Sequence, residues 1–511
     1  MLPRPPNPVT GQFSRHTPNQ FEPRLRRAAE HSLALGPRPV GVTLQQWLHA
    51  ALCEAMRDGR LPPGSQLPTS RSLARDHGLS RSTVTAVFER LLADGYISAR
   101  VGSGSFVAPQ GPPASVSEAT SLASPFALAL SRRGRQMSEA GAAVMSRNGP
   151  LPRTFEADRI DTGLFPAALW ARLAAKRARW HETRIVQGVE WQGLAPLREQ
   201  LAQQLLLTRG IRCDADQVVI VPGARQALDL LARLLLNPGE EAWVEDPGSP
   251  AVQALLTAAG ARVVPVPVDE QGLQVDAALR TAPRARLAYT TAAAQMPLGH
   301  ALSAARRQAL LAWARGASAY VIDADRDGDF VFDGGGAIAL KAQDEGDCVI
   351  HLGSLAFSMA PCLRLAYLVL PRRLVEPVCA ALALTQAQPS LLDQAVLHDF
   401  IADGHWARHL RELRFVYGAR ADALRHGLDK HFGRWLQLAP ARRGLNLTAW
   451  LPGSVRDAQL AAQAAAAGVT VTPLTAYRLQ HPAPAGLRFG FAAFTEASIR
   501  GGVQKLAQAL P

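Results

Sequence analysis

Short apolar segments alternate with helical segments through residues 153–511, and this alternation constrains the fold more than any other feature of the chain. Such an order is typical of strands that are buried in a largely parallel sheet with helices on both faces. Helices are predicted at Ala224–Leu236 and Ala304–Arg315. The predicted strands are Val218–Val221, Ala242–Glu245, Arg262–Val266, Leu287–Thr290, Ala319–Asp323, Cys348–Leu352 and Ala366–Leu370. We therefore expect an α/β domain over residues 153–511, with a smaller α+β part after about residue 390.

Residues 39–108 form a separate compact unit with its own start and stop signals. Thr43, then Thr69 or Ser70, and then Ser80 can each cap the start of a helix. The expected apolar faces are Leu44, Trp47, Leu48, Ala51, Leu52 and Met56 on the first helix, Leu73 and Ala74 on the second, and Val84, Val87, Phe88, Leu91 and Leu92 on the third. Residues 96–100 and 105–107 alternate like the two strands of a hairpin. Three helices and a β-hairpin predict a helix-turn-helix with a wing.

The chemistry of this unit suits double-stranded DNA. The first turn of the third helix carries Arg81, Ser82 and Thr83, which are short or forked donors able to reach base edges or phosphates. The exposed amides next to Ser80 favour a phosphate. Arg71 begins the second helix and is expected to face the DNA backbone. Gly102 and Gly104 lie between the hairpin strands, where they let the wing approach the minor groove.

The remaining segments are predicted to connect and extend these two domains. Residues 1–38 are rich in Pro and Arg, and we interpret them as a flexible N-terminal extension. Residues 109–152 are rich in Pro, Ser and Ala and are interpreted as a linker. A linker of this length would let the DNA-binding unit dock on either subunit of a dimer.

The bulk properties agree with a nucleic-acid partner and exclude several other classes. The formal charge is +13, which favours a polyanionic partner, although a GC-rich genome would also produce the arginine bias. The five cysteines are scattered, so that neither a metal site nor a disulfide framework is expected. An apolar run of about 18 residues does not occur in the sequence. We therefore expect a cytoplasmic protein without a membrane partner.

Two sets of motifs carry a resemblance to known families. LPPGSQLPTSRSLA, GLSRST and GSGSFV resemble the GntR-type winged helix, in which Arg71, Arg81, Thr83 and Gly102 match DNA-contacting positions. LFPAALW, VVIVPGARQALDLLARLLLNPG, EDPGSP, AQMPLG and LRFGFAAFTEASIRGGV resemble fold-type I aminotransferases and, more closely, bacterial regulators of the MocR/GabR type. The resemblance implies a DNA-binding transcriptional regulator that forms a homodimer. It also implies that the second domain derives from an enzyme using pyridoxal phosphate (PLP) and that it senses a small-molecule effector of unknown identity.

Cys348–Leu370 resembles the segment that anchors PLP in this family. Gly353, Ser354, Pro361, Arg364 and Tyr367 are in register, but Phe357 stands where the family has the lysine that forms a Schiff base with PLP. Gly223, Ala224, Arg225 and Gln226 open a helix directly after a strand, where backbone amides can hold a phosphate. With Arg364 they match the family's phosphate cradle, which we interpret as vestigial.

Other positions that resemble the cofactor site also depart from the family. The acid that holds the pyridine nitrogen corresponds to Ala324, and the tyrosine that meets the ring hydroxyl corresponds to Arg326. Asp323 and Asp325 flank Ala324, but the alternation of a strand should turn them to the other face. The stacking position is occupied by Ser249, and Ala294 replaces a histidine. Gln295 and Arg488 are kept as candidate ligand-binding residues.

These observations leave three hypotheses. The first is a DNA-binding regulator without enzyme activity, whose aminotransferase-like domain serves for dimerisation or for sensing a ligand other than PLP. The second is a regulator that binds PLP non-covalently and responds to an amino acid. The third, a working aminotransferase that carries a DNA-binding unit, conflicts with Phe357, because an enzyme without the lysine amine cannot regenerate its cofactor linkage.

Overall fold

The computed structural model contains two compact units, residues 1–128 and residues 129–511. It describes residues 33, 35–39, 41–100, 103–108, 130–147, 151–179, 190–332, 338–433, 435–440, 443–453, 455–482 and 484–510. Most of the predicted N-terminal extension, residues 109–129 of the predicted linker, and Gly102 lie outside these ranges.

The first unit is a three-helix bundle followed by a hairpin. Its elements are α1 (Leu44–Arg57), α2 (Ser70–Asp76), α3 (Arg81–Ala93), β1 (Ile97–Arg100) and β2 (Gly104–Val107), with the two strands antiparallel. The side chains of Thr43, Thr69 and Ser80 each accept a backbone N–H of the helix that follows, which confirms the predicted caps. Leu48, Leu52, Leu73, Val84 and Leu91 are at most 1 % exposed and form the core.

The prediction that Leu92 belongs to the buried face of α3 is wrong. Leu92 is 45 % exposed, whereas its neighbour Leu91 is completely buried. Successive residues of an α-helix are rotated by about 100°. The face set by Val84, Val87 and Leu91 therefore leaves Leu92 on the side of the helix. Leu44, at the start of α1, is also exposed.

The second unit is built on an eight-stranded mixed sheet. Its strands are β3 (Val218–Val221), β4 (Glu241–Asp246), β5 (Arg262–Asp269), β6 (Gly272–Leu273), β7 (Leu287–Thr290), β8 (Tyr320–Asp325), β9 (Val349–Ser354) and β10 (Ala366–Val369), in the order β3-β10-β9-β8-β7-β4-β5-β6. The β5–β4–β7–β8–β9 pairs are parallel, and β10 is antiparallel to both β9 and β3. Every predicted strand is confirmed to within two residues at its ends, except that β5 continues to Asp269, three residues beyond the predicted end at Val266.

Helices cover both faces of this sheet. They are α4 (Arg132–Arg147), α5 (Ala167–Arg179), α6 (Ala195–Arg209), α7 (Ala224–Leu235), α8 (Pro250–Ala259), α9 (Val275–Thr281), α10 (Ala304–Ala317), α11 (Arg372–Leu384) and α12 (Leu391–Ala402). Val219 and Val221 belong to one apolar core, and Val218 and Ile220 belong to another. This alternation explains why β3 is apolar at every position, since both faces of the strand are buried.

Helix α4 lies within the segment that the sequence indicated to be a linker. It packs on α8, and Arg133 Nη2 donates a hydrogen bond of 2.8 Å to the carbonyl of Ala259. The sequence did not predict this helix, because RRGRQMSEAGAAVMSR has few large apolar residues. Its residues group with the second unit.

The C-terminal part consists of the long helix α13 (His405–Phe432), a four-stranded antiparallel sheet and two more helices. The sheet contains β11 (Gln437–Leu438), β12 (Asn446–Trp450), β13 (Thr472–Pro473) and β14 (Gly486–Gly490), in the order β11-β12-β14-β13. The helices are α14 (Asp457–Ala466) and α15 (Glu496–Ala509). Within the described part of the chain, none of the helices has the length and apolarity that crossing a bilayer requires.

Candidate functional site

The first turn of α3 presents a row of polar side chains to solvent. The Ser80 hydroxyl accepts the N–H of Thr83 at 3.1 Å and lies 2.9 Å from the Ser82 hydroxyl. Arg81 is exposed beside them, and Arg71 is exposed at the start of α2. The cap thus fixes the start of the helix and leaves the Arg81 guanidinium accessible.

The hairpin that follows is held in place by a glutamine. Gln66 Nε2 donates a 2.7 Å hydrogen bond to the carbonyl of Ser103 at the tip of the hairpin. Gly104 has a φ of +101°, and a Cβ there would lie 2.9 Å from Gln66 Nε2. Glycine at 104 therefore serves both the backbone conformation and the close approach of Gln66. The Arg100 guanidinium stacks over Phe106 at 5.1 Å.

The second unit contains a polar cavity of about 50 Å³. It lies where the loops after β7 and β8 meet the edge of the small C-terminal sheet. Its walls are Thr291, residues 293–299, residues 324–328, Ala439, residues 443–444, residues 446–448 and Arg488. Ligand sites of α/β sheets form at the carboxyl ends of parallel strands, and β7 and β8 both end here.

The groups that the sequence predicts to bind a phosphate lie at the same edge of the sheet. Ala366 pairs with Val221 on one side and with Ser354 on the other. This register brings the end of β3, the end of β9 and the start of β10 together. Helix α7 begins directly after β3 with Gly223 at a φ of +102°, and its first amides have no acceptor within the helix. Arg364, two residues before β10, is exposed at a φ of +51°.

The carboxylates next to Ala324 are committed to other partners. Asp323 is buried and accepts the N–H of Leu340 at 2.9 Å, with His351 Nδ1 at 3.4 Å. Asp325 accepts Arg209 Nε at 2.5 Å. Burial raises the pKa of Asp325, but Arg209 outweighs it and holds that pKa below its usual range. Ala324 itself lines the cavity, together with Asp327 and with Asp325, whose carboxylate is bound to Arg209.

Phe357 and Arg326 lie against each other. The Arg326 guanidinium stands 5.2 Å from the centre of the Phe357 ring, at the distance of a cation–π contact. The same guanidinium contacts the Met296 sulfur. The two residues that depart most from the family's cofactor chemistry are thus packed together.

A second arginine meets Arg326 through a shared carboxylate. Arg326 Nη2 donates to Asp158 Oδ1 at 3.0 Å, and Arg488 Nη2 donates to the same oxygen at 3.1 Å. Arg488 is 4 % exposed, and its Nη1 reaches Asp158 Oδ2 at 3.2 Å and the Tyr477 hydroxyl at 3.0 Å. Burial raises the pKa of Asp158, but the two guanidiniums outweigh it and hold the pKa well below its usual range.

The other candidate ligand residue, Gln295, is used within the protein. Its Nε2 donates to the carbonyls of Pro247 and Met296 at 2.8 and 2.7 Å, and its Oε1 accepts the N–H of Leu298 at 3.0 Å. These bonds shape the loop after β7 and use both ends of the amide. Gln295 also lines the cavity, so its ligand contact stays a prediction beside this structural part.

The four lysines of the chain all lie outside the cavity wall. Lys341 is nearest to Phe357 in the sequence, but its Nζ is paired with Asp344 at 2.9 Å and Asp347 at 3.4 Å. Lys176 lies near Asp399, and Lys505 lies on α15.

These residues fit one part of PLP and not the other. The helix start at Ala224, Ser354 and Arg364 suit a phosphate. The positions that the resemblance assigns to the cofactor ring, here called the ring end, hold Ala324 in place of an acid and Phe357, packed against Arg326, in place of a lysine. PLP chemistry requires both groups.

Comparisons with known proteins agree with both units. The model of bacterial regulatory proteins of the gntR family matches residues 44–107, and the model of aminotransferase class I and II matches residues 170–506. The probable rhizopine catabolism regulatory protein MocR of Rhizobium meliloti is 33% identical over 474 residues, which cover 92% of this chain and 94% of that protein. The chain belongs to the MocR-type transcriptional regulators.

A second regulator is similar over both units, and a solved structure is similar to the second unit alone. The HTH-type transcriptional regulator TauR of Rhodobacter capsulatus is 31% identical over 503 residues, covering 94% of this chain and 99% of that protein. A kynurenine aminotransferase from Pyrococcus horikoshii shares the fold of the second unit, with a TM-score of 0.67 and 23% identity over 74% of this chain and 96% of that one. This MocR-type chain is thus a DNA-binding regulator with an aminotransferase-like domain.

Sequence reasoning missed the residues that surround Arg488. Asp158 lies in a loop, Asn446 in a short strand and Tyr477 in a short 3-10 helix, and in such segments periodicity carries no signal. Asp158 is separated from Arg488 by 330 positions, so that nothing local indicates the contact. Only the second unit's fold brings them together.

Proposed function

We propose that this regulator binds double-stranded DNA through Arg71, Ser80, Arg81, Ser82 and Thr83, with the wing around Gly102 reaching the backbone nearby. The observation that carries this proposal is the exposed polar first turn of α3, which is fixed by its Ser80 cap. Helix-turn-helix proteins read the major groove with the N-terminal residues of this helix.

DNA binding is tested with duplexes selected from a random-sequence library by the full-length protein. We expect the affinity to fall steeply with salt, because each neutralised phosphate contributes a slope of about −0.9 to the plot of log K against log salt. A protein that selects no duplex at low salt would contradict the proposal.

We infer further that the aminotransferase-like domain forms no Schiff base with PLP and catalyses no transamination. Support comes from Phe357 in the anchoring segment, from Ala324 on the cavity wall, and from the ion pairs that hold Lys341 elsewhere. The domain would then serve for homodimerisation and for sensing a small molecule, in a cytoplasmic protein. Assays with several amino donors should give no turnover above background, and sedimentation equilibrium should give twice the chain mass.

A second candidate function is a regulator that holds PLP non-covalently and responds to an amino-acid effector. It is favoured by the phosphate-binding edge formed by α7, Ser354 and Arg364. If PLP binds there, wild-type protein should retain it on desalting, and Arg364→Ala should lose it. A control, Arg372→Ala, changes an exposed arginine at the start of α11, which pairs with Asp214. Equal loss of PLP from both variants would count against this function.

A further inference from the structure

Asp158 lies at the centre of a ring of hydrogen-bond donors. Its Oδ1 accepts from Arg326 Nη2 at 3.0 Å, from Arg488 Nη2 at 3.1 Å and from Asn446 Nδ2 at 3.2 Å. Its Oδ2 accepts from Arg488 Nη1 at 3.2 Å. Two guanidiniums and an amide around one carboxylate form the arrangement by which proteins recognise carboxylate ligands.

The loop that carries Asp158 is fixed in place from both sides. The backbone N–H of Asp158 donates to Asn446 Oδ1 at 3.0 Å, and the carbonyl of Phe155 accepts the N–H of Gly490 at 2.9 Å. Phe155 is completely buried. Asp158 has a φ of +62°, a conformation that non-glycine residues adopt uncommonly. A non-glycine residue held at positive φ indicates a local requirement, which here is the direction of the Asp158 carboxylate.

The two arginines need an anion. Arg488 is 4 % exposed, and a buried guanidinium is costly unless a negative partner is close. Arg326 is partly buried, with 24 % of its side chain exposed, and it is packed against Phe357 and Met296. The nearby Asp327 accepts the N–H of Leu445 at 3.3 Å. In the described structure, the Asp158 carboxylate accepts hydrogen bonds from both the Arg326 and the Arg488 guanidinium.

We propose that Asp158 is an internal ligand that occupies an anion site made by Arg326, Arg488 and Asn446, and that it thereby excludes small free carboxylates from this site. The site differs from the phosphate-binding edge, because its cations come from the loop after β8 and from β14. The ligand class is set by the donors: a short carboxylate, and best a dicarboxylate that can reach a guanidinium with each end.

This inference concerns the pocket of the proposed function and rests on the proposal that the ring end holds no PLP. Its test uses succinate and neither PLP nor DNA. Either proposal can therefore fail without the other.

The experiment is a thermal unfolding series of the full-length protein with increasing succinate. Asp158→Gly removes the internal carboxylate, and glycine accepts the positive φ without strain. We expect succinate to raise the unfolding temperature of Asp158→Gly, because a ligand that binds only the folded state stabilises it. Binding should be at least about tenfold tighter than in wild-type protein, which is about 1.4 kcal/mol.

Two further variants make the result specific. Asp161→Asn alters another carboxylate of the same domain, which pairs with Arg420 at 2.8 Å, and it should gain no succinate binding. Asp158→Gly combined with Arg488→Met should lose the gain, since one guanidinium is removed. If Asp158→Gly does not fold, Asp158→Ala serves in its place, because it also removes the carboxylate and empties the site.

Each outcome decides the proposal. Stabilisation of the Asp158 variant alone supports it. Equal stabilisation of wild type would overturn it, because the internal carboxylate would then exclude nothing. The lack of any succinate effect on a folded Asp158 variant would also overturn it, because Arg326 and Arg488 would then form no anion site.

Discussion

The arginines of α2 and α3 and the arginines of the cavity have opposite surroundings. Arg71 and Arg81 are exposed on the winged-helix unit. Arg488 is 4 % exposed in the second unit, and together with Arg326 it is bound to Asp158. Arginine side chains are therefore accessible to an external polyanion in the first unit, whereas in the second unit Arg326 and Arg488 bind the chain's own carboxylate.

This difference separates two parts of the candidate site in the aminotransferase-like domain. At the predicted phosphate cradle, Arg364 is exposed and helix α7 begins directly after Gly223. At the predicted ring end, Arg326 contacts both Phe357 and Asp158. We interpret the first as a site that still faces solutes and the second as a site closed by internal contacts.

The largest expected effect is on stability, from Arg488→Met. Removing this guanidinium leaves Asp158 with a single cationic partner, and breaking such a pair should cost about 3 kcal/mol of unfolding free energy. The matched control is Arg500→Met, because Arg500 is exposed and forms an ion pair with Glu496 at 3.6 Å. Its unfolding free energy should change by no more than about 0.5 kcal/mol. Urea unfolding of full-length protein measures both. Equal losses would remove the distinction between the buried and the exposed arginines.

Next is DNA affinity, which Arg81→Ala should lower by about 1–3 kcal/mol, or roughly fivefold to 150-fold, if Arg81 contacts a base edge. Arg90→Ala is the control, because Arg90 lies near the other end of α3 beside Asp94. Fluorescence anisotropy with a library-selected duplex measures the ratio. A loss no larger than that of Arg90→Ala would place the DNA contact elsewhere on the unit.

A smaller effect concerns pH. The pKa of Asp158 is held below its usual value in the folded protein, so its charge stabilises the fold above the unfolded pKa of about 3.9 and this contribution disappears as pH falls. The stability gap between wild type and Asp158→Asn should stay constant from about pH 7 to 5 and narrow below about pH 4. Urea midpoints across this range measure the gap. A gap that widens in acid would mean that Asp158 gains stability by being protonated.

The smallest expected change is in the salt dependence of DNA binding. If Arg71 neutralises one phosphate, Arg71→Ala should make the slope of log K against log salt shallower by about 0.9. The preference between duplex sequences should stay the same, because phosphate contacts carry no sequence information. A changed sequence preference at an unchanged slope would indicate that Arg71 reads bases.

The parts that could be predicted from the sequence are those with local causes. Thr43, Thr69 and Ser80 cap the helices directly after them, and a cap is a signal over three residues. The buried strands are recognisable because both faces of each strand are apolar. Helix α4 was missed because its contact with α8 depends on Arg133 and small residues rather than on an apolar stripe.

The chemistry of the cavity could be predicted only in part. The identities of Phe357, Ala324 and Arg326 follow from the sequence, but their contacts do not. Asp158 meets Arg326 across 168 positions and Arg488 across 330 positions, and its backbone conformation leaves no trace in composition. Long-range ion pairs of this kind are set by the tertiary fold, so that a register based on motifs alone cannot supply them.

The central claim is that the second unit has no covalent PLP chemistry. It is tested most directly by titrating purified protein with PLP, reducing it with borohydride and measuring the intact mass and the peptide masses. The account predicts no lysine-linked adduct at stoichiometric yield. A stoichiometric adduct on a single lysine, with Lys341 the nearest in sequence to the anchoring segment, would contradict it.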